Sequence, residues 1–107
     1  MISDEDVDKA LSHLRKETGA KERAELAYLE SYGKHLKAIL MKEFPNLPAN
    51  AQEREAYAHP KYVEHLEKTK QAVYADTHAR SKREAAIALI DAWRTQQASQ
   101  RGMERLR

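Results

Sequence analysis

All three prolines of this 107-residue chain fall between positions 45 and 60. Proline lacks an amide donor and clashes with the preceding turn, so no regular helix passes through one beyond its own first turn. The flanking stretches are proline-free and show no strand-like alternation, so their pattern is that of long helices. FPNLPAN (44–50) is the clear break, with Asn46 and Asn50 as turn formers. Asn50 then opens N-A-Q-E, a capping-box pattern with Glu53 in third place, which predicts a short helix over 51–58. Pro60 disfavours the α conformation at His59 yet suits the first turn of a new helix. AHPKYVEHLE (58–67) therefore reads as an elbow that launches a helix over 60–100. A ring nitrogen of His59 can cap it.

Before the break, residues 3–44 form a first helical segment. Ser3 is placed to cap it, with Asp4, Glu5 and Asp6 in the first turn and Val7, Leu11 and Leu14 following at helical spacing. Gly19 either ends this helix or kinks it, and the apolar phase shifts there to Leu26, Leu29, Leu36 and Leu40. Gly33 lies between Leu29 and Leu36, where a small residue lets another helix approach closely. The alternative is an indifferent glycine costing about 1 kcal/mol relative to Ala.

In the last helix Tyr62, Val63, Leu66 and Val73 give one apolar stretch, and Ala86, Leu89, Ile90 and Trp93 another. Between them ADTHARSK (75–82) is polar and can bend the rod near 76–81, where Ser81 and Glu84 offer a fresh capping box. Gly102 marks fraying. The expected fold is all-α: one domain of two long helices joined by a proline-containing loop and a short connecting helix.

Completing the core is the difficulty. The chain is 34% charged, against about 25% in an average domain, and its apolar set is led by 17 alanines with one Phe and one Trp. Helices this polar bury a narrow stripe, which predicts a homo-oligomer. Its packing row is Leu26, Leu29, Gly33, Leu36, Leu40, Leu66, Val73, Leu89, Ile90 and Trp93.

Chemistry is scarce. With no Cys there are no thiolate sites or disulfides. The histidines, at 13, 35, 59, 65 and 78, lack metal-ligand spacing and read as surface residues. Carboxylates alternate with cations, as in Glu30–Lys34 and Glu64–Lys68, the pattern of surface pairs. No phosphate loop or nucleophile elbow is present. The expectation is a protein with no catalytic activity, metal or cofactor. The opening MISDEDVDKA has no apolar signal region, and AAIALI (85–90) is too short to span a bilayer, so a cytoplasmic location is expected.

Charge is unevenly spread. Residues 1–60 hold 9 basic and 11 acidic side chains; residues 61–107 hold 10 and 6. A basic half suits an anionic partner such as nucleic acid, although cations near a helix end also complement its dipole. Candidate phosphate contacts are Lys61, Lys68, Lys70, Arg80, Lys82, Arg83, Arg94, Arg101, Arg105 and Arg107. Tyr57 and Tyr74 are candidate stacking platforms for single-stranded bases, whereas Tyr62 and Trp93 read as core.

LAYLESYGKHLKAILMKE (26–43), AQEREAYAHPKYVEHLE (51–67) and REAAIALIDAWRTQQASQR (83–101), with the REAYAHPKY and DAWRT segments foremost, resemble a family of small helical proteins of tailed phages and prophages. That family is distantly similar to the phage recombination mediator UvsY. The resemblance implies an oligomer in the infected bacterial host that binds single-stranded DNA and works beside a recombinase or a single-strand-binding protein. No DNA-contacting position transfers from it.

Overall fold

A computed structural model describes residues 1–106 as an all-α protein. Its helices are α1 (Asp4–Lys16), α2 (Ala20–Met41), α3 (Ala49–Ala58) and α4 (Pro60–Arg105). Contacts group the chain into two compact units, residues 1–20 with 77–107 and residues 21–76, and α4 runs through both.

Ser3 caps α1 as its sequence predicts. Its hydroxyl accepts from the Asp6 amide at 3.1 Å, and the Asp6 carboxylate accepts from the Ser3 amide at 3.4 Å. Gly19 ends the segment, with a φ of 77° in the left-handed region that glycine enters without strain. In this unit Val7 and Ala10 of α1 bury against Ala86 and Ile90 of α4, with Ile2, Leu14, Leu89 and Trp93 packed around them.

Helix α3 starts two residues earlier than expected, at Ala49, and Asn50 does not cap it. Pro48 occupies the cap position with no side-chain bond, and the Asn50 carboxamide accepts from the next amide, that of Ala51. Proline's fixed φ already sets the helix entry there. Gln52 donates instead to the Phe44 carbonyl at 2.9 Å and ties the loop down.

The elbow is built as the residues suggest. His59 Nδ1 accepts from the Lys61 amide at 3.1 Å, while Nε2 lies 3.1 Å from Glu43. An amide can only donate, so Nδ1 carries the lone pair and Nε2 the proton; the neutral ring serves both partners. Replacing His59 with Ala is expected to lower stability by about 1 kcal/mol, the usual value of a lost helix cap. His59→Asn, which keeps a capping acceptor, should recover most of it in urea unfolding followed by circular dichroism.

Helix α4 departs from expectation in length and in register. It continues unbroken through 76–81 and past Gly102 to Arg105, so neither the second capping box nor fraying at Gly102 occurs. Its inward row is Tyr62, His65, Thr69, Ala72, Asp76, Ala79, Arg83, Ala86, Ile90 and Trp93, alternating three and four residues apart. Val63, Leu66 and Val73, expected to pack, are instead 54%, 50% and 44% exposed. The first half of the helix is thus turned by about one residue from its most apolar face. Small and hydrogen-bonded residues take the interior because the row on α2 is already bulky: Leu29, Leu36 and Leu40 are buried there.

Candidate nucleic-acid interface

His65 lies at the centre of the unit formed by residues 21–76. It is 6% exposed, so the surface placement expected of it is wrong. Burying an imidazole is costly unless its nitrogens are satisfied. Here Nε2 lies 3.3 Å from the Thr69 hydroxyl oxygen, and the hydroxyl's one proton is donated to the His65 carbonyl at 2.9 Å. Gly33 makes the room. A Cβ at that position would stand 2.7 Å from Nε2, below any contact that real side chains adopt. Of the two readings of Gly33, the close helix approach holds.

Around His65 the aromatic rings form a relay. Tyr28 stacks on Tyr32 with centroids 6.2 Å apart and planes 16° from parallel. Tyr32 leans on His65 at 5.5 Å, His65 on Tyr62 at 6.0 Å, and Tyr62 meets Tyr57 edge-on at 5.2 Å. These separations fall in the range where rings attract beyond their area burial. Tyr57 and Tyr28, the two ends of the relay, both reach the surface.

Beside Tyr57 a groove of about 720 Å³ is lined by Ala27, Glu30, Ser31, Lys34, Lys37, Tyr62, Leu66 and Thr69 among others. Its rim is spoken for. Lys37 donates to Glu53 at 2.7 Å and stands 4.9 Å over the Tyr57 ring, whose hydroxyl donates to the same carboxylate oxygen at 3.2 Å. The bond to Glu53, then Tyr57, holds the Lys37 ammonium protonated well beyond the usual lysine range. That bond also draws the Glu53 carboxyl below the usual carboxylate range. Tyr57 is therefore a braced packing residue whose face is already covered by a cation. Tyr74, the other tyrosine singled out, is 77% exposed and contacts no other ring among the described residues.

The basic residues sort by partner. Arg83 is half-buried and donates to the Leu14 carbonyl at 3.2 Å, closing the end of α1, which withdraws it from a phosphate surface. Arg80 is exposed but engaged within the protein. Lys68 pairs with Glu64 at 3.6 Å, whereas the expected Glu30–Lys34 pair does not form. Lys61, Lys70, Lys82, Arg94, Arg101 and Arg105 are exposed, and none pairs with a carboxylate among the described residues. Arg107 lies outside the described residues.

Of the packing row, Leu29, Gly33, Leu36, Leu40 and Ile90 are buried and Leu26, Leu89 and Trp93 half-buried, leaving Leu66 and Val73 outside. Sequence reading missed His65 and the Tyr28–Tyr32 pair. The signal for the pair is a four-residue spacing one position off the Leu29–Gly33 row. Among the described residues no group of three or more His, Asp or Glu could hold a metal ion, and no helix is long and apolar enough to cross a membrane. No family model matches the chain, and no curated protein or solved structure matches it.

Proposed function

We propose that this protein is a non-catalytic phage or prophage accessory factor that self-associates through α4 and binds single-stranded DNA, assisting recombination or replication in the host cytoplasm. One observation carries the reading. The exposed cations of α4, Lys61, Lys70, Lys82, Arg94, Arg101 and Arg105, have no carboxylate partner among the described residues. Cations left open to solvent exchange condensed counterions for phosphates, a mode that is blind to sequence and sensitive to salt. The resemblance to the phage family supplies the setting, with a recombinase or a single-strand-binding protein as partner.

Fluorescence anisotropy with a labelled single-stranded oligonucleotide tests this. The expected dissociation constant is on the order of micromolar at low salt, and log affinity should fall linearly with log salt, by roughly 0.7 per phosphate contacted. Lys82→Gln with Arg94→Gln should flatten that slope, while Arg83→Gln should act on stability. Absence of binding at low salt removes the reading.

The outward Val63, Leu66 and Val73 favour a second reading, a protein-interaction module such as a phage inhibitor or adaptor of a host complex, or a structural phage component. Capture of a host partner from nuclease-treated lysate, with no affinity for oligonucleotide, would select it.

A further inference from the structure

The geometry points to the Tyr28–Tyr32 pair as a stacking platform for unpaired nucleobases, with the strand's phosphates running beside Lys61 and Lys68. This rests on the single-strand reading above and gives it a place. A base-stacking site combines an aromatic face open to solvent with cations along the path of the strand's backbone. Tyr28 is 63% exposed, and its ring is held nearly parallel to that of Tyr32. Tyr32 is in turn fixed by the buried His65 ring. The stack is thus anchored from beneath and open above.

The cations follow from helix geometry. Lys61 and Lys68 stand four residues before and three after His65, together on one flank of the inward row of α4, and both are exposed. On α2, Lys21 lies seven residues before Tyr28 and so continues the Tyr28 face. Glu25 and Glu64 are the carboxylates of this surface, the latter engaged by Lys68. An apolar peptide would find the tyrosines but leave Lys61 and Lys21, which pair with no carboxylate among the described residues, uncompensated, whereas a strand satisfies both. Tyr57 is unsuited to the task because Lys37 already covers its ring.

The test compares three proteins and two strands by anisotropy: the wild type, Tyr28→Ala and Tyr28→Phe, each against a thymidine oligonucleotide and an abasic strand of equal length. Stacking predicts about a tenfold loss for Tyr28→Ala and none for Tyr28→Phe, which keeps the ring. The wild type should bind the abasic strand as weakly as Tyr28→Ala binds thymidine, an arm that depends on no variant folding. Equal wild-type affinity for both strands overturns the platform and leaves the single-strand reading standing. Failure of the wild type to bind either strand at low salt removes both. A change in light-scattering mass for Tyr28→Ala at unchanged affinity would make the pair a contact between subunits and overturn the platform.

Discussion

Replacing Leu40 with Ala is expected to lower the unfolding free energy by about 3 kcal/mol, within the range seen when a buried leucine is truncated and its neighbours relax only in part. Leu40 is 1% exposed, the largest side chain buried to that degree among the described residues. It packs on Leu36 and the fully buried Ala56, with Met41 and Tyr62 closing the cluster. These residues come from α2, α3 and α4, so a cavity there loosens all three at once. A chain of this length has a total stability of roughly 5–15 kcal/mol, and this loss is a large share of it. Urea unfolding should show the midpoint falling with the slope unchanged. A change below about 1 kcal/mol would mean that this cluster is not the core of its unit.

The second large effect runs against helix propensity. Gly33→Ala should destabilise by about 1–2 kcal/mol, although alanine in a helix interior is ordinarily better than glycine by about 1 kcal/mol. The added methyl meets the end of the His65 ring at 2.7 Å. That ring cannot swing away, because Tyr32, Tyr62 and Thr69 surround it. Overpacking of a fixed neighbour costs about 1–3 kcal/mol and outweighs the propensity gain. Gly102 offers the control: nothing lies within 4 Å of a Cβ there, so Gly102→Ala should be neutral or slightly stabilising. The cause is separable by a double-mutant cycle with His65→Ala. Gly33→Ala should be tolerated once the ring is gone, and an equal penalty in both backgrounds would place the strain elsewhere.

These positions also mark where the sequence is legible. Pro60 and Gly19 act through their own backbone and Ser3 through a hydroxyl that caps the Asp6 amide, and each does what its chemistry demands. The row Leu29, Gly33, Leu36, Leu40 is legible because its residues are apolar, with one small member whose purpose is the approach of α4. Tyr62 is legible as core, but the inward face of α4 is not legible over 63–83. Periodicity counts apolar side chains, and there the apolar ones, Val63, Leu66 and Val73, are outside, while His65 and Asp76 are buried. The buried histidine depends on a hydroxyl four residues along and on a glycine in a different helix, and a pattern read along one helix contains neither. Asn50 fails as a cap for a similar reason: Pro48 sets the helix start before it.

Turning α4 by one residue leaves three aliphatic side chains in solvent on a helix with a polar interior row. Burying a valine or leucine side chain is worth about 1.5–3 kcal/mol, and the self-association proposed above would cover this face. Leu66→Glu with Val73→Glu should then break the association while leaving the helix content unchanged, since neither residue holds the unit together from inside.

Light scattering coupled to size exclusion across a wide concentration range measures the self-association itself. The expected wild-type mass is a multiple of 12.3 kDa, and the Leu66→Glu, Val73→Glu variant should run at 12.3 kDa. A wild-type chain that stays at 12.3 kDa at the highest concentration would rule self-association out.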